Sequence, residues 1–516
     1  MKNKRSLAGS ALMMGGIILL SKLLGLFRDI LVAGAYGTTE AAIAYETASK
    51  LPITLFDFVL GGVVTSAFIP IYNSIAVKKN KSKALDFARS YVNLILALTA
   101  ALTVIGIVFA PWLISVIAPE ISEYAADLAV YLTRIMFPMV IFVGLAFSFV
   151  GFLQSEGEYN IPAVISLVSN LIMVAYLVFF SDKFGVVGLS VAMLIGWAAQ
   201  AAIQLPSVIK RGFTYRLTAP LNTPEIGRAI RNTLPILIAT WTTPLCNIIN
   251  TSVASGIENG RAITALGYSN RLYTILVGLF SFVATNLLFP YFARAAASGD
   301  HNESDRLTRT SIKTLVFIIA PLSVGVAVLA EPFVKLIYER GTFTSSDSII
   351  TAEALGCYAI GMIFAAIGEV LTKAFFAVEK NKLPMVSSIA SMTFNVLIVM
   401  LLRDSLGIGG IALVSGAATA LNMAVNLVFA YKSKLISFVG RDYIDVAKSV
   451  FSALAMGVVV FFVNHVLQDA VGMTIRFAIS VIAGIVVYVL IVFAVKSEEA
   501  AQIRGLFKKF FTKEKV

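Results

Sequence analysis

An internal repeat constrains the fold of this chain more than any other feature of its sequence. Shifting the sequence by 220 to 222 residues aligns its landmarks: Pro70 with Pro290, Pro111 with Pro332, Pro162 with Pro384, and Gly185-x-x-Gly188 with Gly407-x-x-Gly410. The neighbours match as well, since Ala110-Pro111-Trp112 aligns with Glu331-Pro332-Phe333. A duplication of this kind predicts two copies of one structural unit.

Apolar stretches fill both copies. With 58% hydrophobic and 14% charged residues and a mean hydropathy of +0.87, the chain has too few polar side chains to cover a water-soluble body. A membrane-spanning helix needs about 20 apolar residues. Fourteen stretches qualify, at 9–35, 41–75, 87–117, 125–153, 159–181, 184–209, 224–253, 261–292, 310–337, 348–378, 383–403, 407–431, 446–467 and 473–495. We therefore predict an all-α polytopic membrane protein with fourteen transmembrane helices.

Six predicted helices lie in each repeat, and two follow. An even number per repeat inserts both copies in the same direction, so the repeats are predicted to be parallel. The predicted organisation is an N-lobe at 1–222, a C-lobe at 223–433, helices 13 and 14 within 434–496, and a basic amphipathic cytoplasmic tail at 497–516. The polar connections are short, and no soluble domain is expected.

The distribution of basic residues predicts the orientation. Of the 41 Lys and Arg residues, 28 fall in predicted cytoplasmic segments and five in predicted external ones. This positive-inside bias places both termini in the cytoplasm. Topology and anionic membrane lipids then account for the net charge of +12, and nucleic acid is not an expected partner.

Six basic residues lie deep within predicted membrane helices: Lys22, Arg28, Lys50, Arg134, Arg271 and Lys373. A charge at that depth costs at least about 2.5–3.5 kcal/mol, so it normally faces a watery cavity, a partner or a substrate. The two cysteines, Cys246 and Cys357, have no metal or redox spacing. No metal or cofactor is therefore expected.

The spacing of these charges places them along helix faces. On helix 1, Lys22 and Asp29 share one stripe, and the adjacent stripe holds Ser21, Gly25 and Arg28. On helix 2, one side holds Glu46, Lys50 and Asp57. Pro52 is expected to interrupt helix 2 and to free backbone carbonyls for a water-filled cavity.

The repeat relates two of the cations. Lys50 and Arg271 are 221 residues apart, at equivalent points of helices 2 and 8. We expect them to face each other, with Asn270 beside Arg271. No acidic residue lies within a helical turn of Arg271, which makes it the strongest single candidate for binding an anion.

Each charge also has a structural interpretation. Glu46–Lys50 and Glu369–Lys373 are i, i+4 pairs that can neutralise each other. Arg134 can bond to a backbone carbonyl. Arg28 and Asp29 can form a local pair, although adjacent helical residues are expected to face each other poorly.

A cavity lined by Lys22, Arg28, Lys50 and Arg271 would attract an anion, and guanidinium groups suit phosphate oxygens. A phosphate-bearing, lipid-linked cargo is therefore the favoured ligand. Replacement of Arg28 or Arg271 by Ala is expected to abolish its transport.

The segments Ser21-Lys22-Leu23-Leu24-Gly25-Leu26-Phe27-Arg28-Asp29, Lys50-Leu51-Pro52, Ser66-Ala67-Phe68-Ile69-Pro70 and Asn270-Arg271-Leu272 resemble the MurJ (MviN) lipid II flippases. These belong to the multidrug/oligosaccharidyl-lipid/polysaccharide superfamily. The resemblance implies outward movement of an undecaprenyl-diphosphate-linked peptidoglycan precursor across the bacterial cytoplasmic membrane by alternating access. It also implies substrate binding by Ser21, Lys22, Arg28 and Arg271, with Lys50 in the same matched segment, and an apolar groove for the lipid tail at helices 13 and 14. Cell-wall synthesis proteins are then conceivable partners.

The chain departs from the family pattern on helices 2 and 7. Phe56-Asp57 stands where paired basic residues are common, and Ile43 where an aspartate is frequent. The sodium site of some members uses an acid on helix 7, and 224–253 holds only Glu225 at its margin. Coupling to membrane potential or to a cation therefore stays open.

Other functions remain as alternatives. In the same class are a flippase for another polyprenyl-diphosphate oligosaccharide and a MATE-like drug/cation antiporter, although a cationic cavity disfavours cationic drugs. A membrane glycosyltransferase would need a larger external region. A scaffold without transport gives no reason for charges at membrane depth.

Overall fold

The structure, a computed structural model, describes residues 2–59, 68–217, 220, 223–231, 242–283, 291–292, 294–295, 301–378, 380–438 and 440–499. Side chains are described within these ranges except at 2–15, 18, 19, 55–59, 279–283 and 301. The predicted tail beyond residue 499 and most of the predicted helix 7 before residue 242 lie outside the described residues.

Within these ranges the long elements are all helices. The first repeat contains α1 (Lys2–Tyr36), α2 (Glu40–Val59), α3 (Ile69–Lys78), α4 (Lys81–Val108), α5 (Ala110–Ile117), α6 (Glu123–Met136), α7 (Met139–Ser155), α8 (Asn160–Phe179), α9 (Ser181–Ala202) and α10 (Leu205–Lys210). The remainder contains α11 (Thr242–Ala254), α12 (Arg261–Val283), α13 (His301–Val328), α14 (Ala330–Tyr338), α15 (Ser345–Ala377), α16 (Lys382–Leu401), α17 (Ile408–Lys432), α18 (Gly440–Val466) and α19 (Met473–Ala494). An all-helical membrane protein is thus confirmed.

Ten helical segments of the described chain are long and apolar enough to cross a membrane. The predicted spans outside that set are those of α1, α2, α11 and α12. Three of these helices carry Lys22, Arg28, Lys50 and Arg271.

Helix bounds recur at the offset of the sequence repeat. The 28-residue helices α4 and α13 begin at Lys81 and His301, and the 20-residue helices α8 and α16 begin at Asn160 and Lys382. Short helices follow α4 and α13 after breaks at Phe109 and Leu329. Each break lies just before Pro111 or Pro332, which agrees with the preference of proline for the first turn of a helix.

The chain divides into two compact units. Unit 1 contains 1–264 and 340–344, and unit 2 contains 265–339 and 345–516. In unit 1, one cluster packs around Phe68, Tyr72 and Phe152, and another around Leu132 and Phe137. Unit 2 has a core of buried side chains from α13, α15, α18 and α19.

One local expectation is wrong. Helix α2 continues through Pro52 to Val59, although that proline was expected to interrupt it. Proline removes one backbone donor, and the flanking helical hydrogen bonds hold the helix together.

Candidate functional site

A polar groove opens in unit 1 between α1, α7 and α8. Its volume is about 510 Å³. Its polar lining comprises Ser21, Lys22, Arg28, Gln154, Tyr159, Ser166 and Asn170. We call it the cationic groove, because its two charged lining residues are Lys22 and Arg28. The structure therefore brings together three residues that the sequence analysis proposed for substrate binding.

Arg28 is oriented by two neighbours within the groove. Its Nε and Nη2 donate to Oδ1 of Asp29 at 3.0 and 2.8 Å. Its Nη1 donates to Oδ1 of Asn170 at 2.9 Å. The expectation that Arg28 and Asp29 face each other poorly is wrong, because the long guanidinium side chain folds back across the helix surface.

Partial pairing leaves Arg28 able to bind more. A guanidinium has five N–H donors, and the described neighbours occupy Nε, one hydrogen of Nη2 and Nη1. The side chain remains 28% exposed, whereas that of Asp29 is 8% exposed. Arg28 can therefore donate to an anion in the groove while Asp29 holds it in place.

Asn170 on α8 is a functional candidate that sequence reasoning missed. Its Nδ2 donates to the backbone oxygen of Ser21 at 3.2 Å, while its Oδ1 accepts from Arg28. It thus links the two ends of the Ser21–Arg28 segment. An amide within an apolar helix was the sequence feature that could have identified Asn170. Asn395 and Asn426 have the same feature in other helices, so it does not single out Asn170.

Lys50 lies at another place in unit 1. Its Nζ donates to Oγ1 of Thr251 on α11 at 2.6 Å, and it is absent from the described lining of the cationic groove. Glu46, one turn earlier on α2, is buried. The ammonium group of Lys50 therefore lies against α11, at Thr251.

Arg271 belongs to unit 2. Its guanidinium carbon lies 5.5 Å from the centroid of the Tyr268 ring, in a cation–π arrangement. Tyr268 is fully buried, and its ring lies 5.2 Å from that of Tyr338. The cation–π contact restricts the direction of the guanidinium.

Arg134 and Lys373 have structural partners. Arg134 donates through Nε to the carbonyl oxygen of Ile107 at 3.4 Å, which is the backbone bond considered for it. Nζ of Lys373 lies 3.5 Å from Oε1 of Glu369, so that i, i+4 pair is confirmed. Asn270 is half-buried, and the side chain of Asp57 lies outside the described residues.

Unit 2 contains a second groove of different character. Its volume is about 390 Å³, between α12, α13, α14, α18 and α19. Its lining is Leu276, Pro321, Leu322, Gly325, Val326, Leu329, Phe333, Met456, Val460, Phe477, Ser480, Val481, Gly484, Ile485, Tyr488 and Val489. We call it the apolar groove. The Tyr488 hydroxyl donates to the carbonyl of Phe317, and Ser480 is the other hydroxyl-bearing residue of the described lining.

Metal binding finds no support among the described residues. They include no group of three or more His, Cys, Asp or Glu side chains that could hold a metal ion. The described lining of the cationic groove includes two cations, and that of the apolar groove is mostly hydrocarbon.

Comparisons with known proteins point to one family. The family model described as "Lipid II flippase MurJ" matches residues 32–503. A protein of Rhizobium meliloti strain 1021 named "Probable lipid II flippase MurJ" is 29% identical over 426 residues, which cover 80% of this chain and 79% of that protein.

Two solved structures share the fold. "Lipid II flippase MurJ, inward closed conformation" is 24% identical, with a TM-score of 0.82 and coverage of 96% of this chain and 100% of that one. An inward-facing multidrug resistance MATE family transporter of the MOP superfamily is 15% identical, with a TM-score of 0.67 and coverage of 82% and 98%. At these identities the two likenesses establish the fold.

Proposed function

This chain belongs to the MurJ family of lipid II flippases, and from that premise we propose that it carries lipid II outward by alternating access, with the diphosphate held in the cationic groove. The protein is accordingly a transporter rather than an enzyme. The observation that carries the proposal is the pair Lys22 and Arg28 in one groove, on a helix that is otherwise mainly apolar.

Electrostatics favours a diphosphate over other ligands of the cationic groove. Two cations face the space, and Asp29 offsets part of the charge of Arg28. Guanidinium and ammonium groups make short, charge-assisted hydrogen bonds to phosphate oxygens. The polar side chains of Gln154, Ser166 and Asn170 extend the wall and suit the hydroxyl-rich part of a lipid-linked sugar.

Two further cations complete the proposed pathway. Lys50 and Arg271 occupy equivalent positions in the repeats, and we assign them to the same cargo at another stage of its passage. The ring of Tyr268 supports Arg271 in that role. Glu46, Asp57 and Asn270 are assigned to charge pairing and gating around these cations.

The apolar groove is the proposed site of the polyprenyl tail. Its lining is almost entirely hydrocarbon, and α18 and α19 form one side of it. Burial of apolar surface stabilises such an arrangement by roughly 25 cal/mol per Å². A polyprenyl tail bound in the apolar groove would stay in hydrocarbon surroundings and would not enter the cationic groove with the diphosphate.

The finer layout follows from the sequence pattern and is supported by the recurring helix bounds. It comprises fourteen spans, parallel lobes at 1–222 and 223–433, tail-binding helices at 434–496 and cytoplasmic termini. The basic segment 497–516 is proposed to lie on anionic lipids of the inner surface. Membrane potential or a cation is proposed to drive the cycle, and cell-wall synthesis proteins to receive the cargo.

Substitution of the arginines tests the proposal. Arg28→Ala and Arg271→Ala should each abolish transport of lipid II in proteoliposomes, since a hydrogen bond to a charged group contributes about 1.5–3 kcal/mol. Lys335→Ala is the matched control, because that cation pairs with Glu331 at 2.8 Å, one turn away. Full transport by either arginine variant, with folded protein, would refute cation capture.

Ligand preference distinguishes the alternatives. Native mass spectrometry should show that purified protein retains lipid II in preference to other polyprenyl diphosphates. Equal retention of all polyprenyl diphosphates would favour a broader flippase. Retention of cationic drugs instead would favour a MATE-like antiporter.

A further inference from the structure

Residues 340–344 make an unusual connection. They follow α14 in the chain, yet they belong to unit 1. The backbone N–H of Thr342 donates to the carbonyl oxygen of Gly34, and its hydroxyl donates to that of Ala35, both at 2.8 Å. We call residues 340–344 the second strap, because they bind the end of α1.

Residues 119–123 form a first strap on the end of α11. The backbone N–H of Glu120 donates to Oγ of Ser255 at 3.2 Å. Ile121 lies against Gly260, where an added Cβ would be 3.1 Å from its Cγ2. The hydroxyl of Ser122 donates to Oε1 of Glu40 at 2.5 Å.

The two straps are related by the sequence repeat. At an offset of 221, Glu120 is equivalent to Gly341, and Gly34 to Ser255. The contact between Glu120 of the first strap and Ser255 therefore has a counterpart between Gly341 of the second strap and Gly34. In the first contact the strap comes from the first repeat, and in the second it comes from the second repeat. Each strap belongs to one repeat and binds the end of the first helix of the other repeat.

The backbone that receives each strap has the same conformation. Gly37 follows α1 with φ of 54°, and its equivalent Glu258 follows α11 with φ of 52°. A positive φ is unfavourable for a residue with a Cβ, so Glu258 shows that this geometry is held by its surroundings.

Close backbone approach explains the glycines of the second strap. A Cβ added at Gly341, where φ is 57°, would lie 2.3 Å from the carbonyl oxygen of Gly34. One added at Gly37 would lie 2.7 Å from the carbonyl oxygen of Thr342. Only glycine allows the two main chains to meet here.

We propose that the two straps form a reciprocal latch, which closes the external end of the transport route and opens when cargo leaves. This proposal rests on the proposed function, which places these loops outside the membrane. Because each strap joins the two repeats, the outer ends of α1 and α11 cannot separate until both straps release. The contacts that hold each strap are non-covalent, so release and reclosure are compatible with a transport cycle.

Accessibility of a buried residue tests the latch. Ile43 is 2% exposed and lies beside Gly260, under the first strap. We would place Ile43→Cys in a Cys246→Ser, Cys357→Ser background and label it from outside with a membrane-impermeant maleimide. Gly341→Ala should accelerate labelling about fivefold or more, which corresponds to the loss of about one backbone contact.

A matched control separates the latch from backbone strain. Gly157 also has a positive φ, of 76°, but no atom lies within 4 Å of an added Cβ. Gly157→Ala should therefore leave labelling at the parental rate. Thr342→Val removes only the hydroxyl bond to Ala35 and should give a smaller acceleration, which keeps the test valid if Gly341→Ala does not fold.

The outcomes separate this inference from the proposed function. Parental labelling rates in both Gly341→Ala and Thr342→Val would overturn the latch even if Arg28→Ala abolishes transport. Labelling of Ile43→Cys only from the inner side would also overturn it. Faster labelling in Gly341→Ala together with full transport by Arg28→Ala would support the latch and refute cation capture.

Discussion

The cationic groove of unit 1 and the apolar groove of unit 2 differ in the charged and amide side chains that line only the first. The first has Lys22, Arg28 and Asn170 in its wall, and the second has Phe333, Met456 and Phe477. Their volumes are similar in scale, at about 510 and 390 Å³. What distinguishes them is therefore chemistry rather than size.

The difference suits a ligand with two incompatible parts. A diphosphate needs donors and positive charge, whereas a polyprenyl chain is stabilised by removal of apolar surface from water. One groove cannot satisfy both parts, because unpaired polar groups are costly against hydrocarbon. A duplicated chain can meet both needs by changing side chains and preserving helix bounds.

The largest effect should come from the residue that positions Arg28. Asn170→Ala removes the acceptor for Nη1 and the bond to Ser21, so affinity for the diphosphate should fall about tenfold. Titration of a polyprenyl diphosphate into purified protein would measure this change.

Asn395→Ala is the control for loss of a buried amide, since Asn395 is 2% exposed and lines neither groove. It should retain ligand affinity even if its melting temperature falls. Parental affinity in Asn170→Ala would show that Asn170 does not contribute to ligand binding in the cationic groove.

An intermediate effect should come from filling the apolar groove. Gly325 has open space, since an added Cβ would meet only Cε of Met456, at 4.0 Å. Gly325→Leu should reduce transport of a long-chain substrate several-fold, because its side chain occupies the volume proposed for the tail.

Chain length provides the internal control for that variant. A short-chain analogue should be transported at the parental rate, and Gly325→Ala should resemble the parent for both substrates. Equal loss for long and short chains would show that the apolar groove serves helix packing alone.

The smallest effect concerns pH at two carboxyl groups outside the membrane helices, one in each unit. Burial opposes ionisation of Glu156, but hydrogen bonds from Lys81 and Tyr72 outweigh it and lower the pKa of that carboxyl. Burial, reinforced by Asp445, raises the pKa of Glu499. Glu156 therefore stabilises the fold above pH 4.5 and loses that contribution as the pH falls through its lowered pKa. Glu499 acts in the opposite sense. Its buried negative charge destabilises the fold, and protonation removes this penalty as the pH falls through the raised pKa.

Thermal unfolding of two variants checks both signs. At pH 7, Glu156→Gln should destabilise the protein by about 1 kcal/mol or less, and this difference should shrink as the pH falls through the lowered pKa of Glu156. Glu499→Gln should be neutral or stabilising at pH 7. A destabilised Glu499→Gln would contradict the raised pKa.

Sequence patterns predicted much of the helical framework. Each of the fourteen apolar stretches contains a helix of the structure, because about 20 consecutive apolar residues favour that conformation in lipid. The pattern did not predict that 87–117 and 310–337 divide at Phe109 and Leu329, although Pro111 and Pro332 lie just beyond those breaks. Hydropathy averages over a window and does not register one backbone break.

The site was predicted in part. Charges at membrane depth singled out Lys22 and Arg28, and both line the cationic groove. Helix periodicity did not predict the Arg28–Asp29 pair, since it describes the direction of Cα–Cβ bonds rather than the reach of a long side chain. Nor did it place Lys50 beside Thr251, because only a fold brings together residues 201 positions apart.

The sequence by itself determined where helices form, which of them carry charge and how the chain repeats. These properties depend on composition and spacing within a few turns. Only the tertiary structure decided that Asn170 holds Arg28, that Phe333 and Phe477 share an apolar groove, and that Thr342 binds the end of α1. Such contacts join residues far apart in the chain, so they are selected by the packing of whole helices and by the close approach that glycine permits.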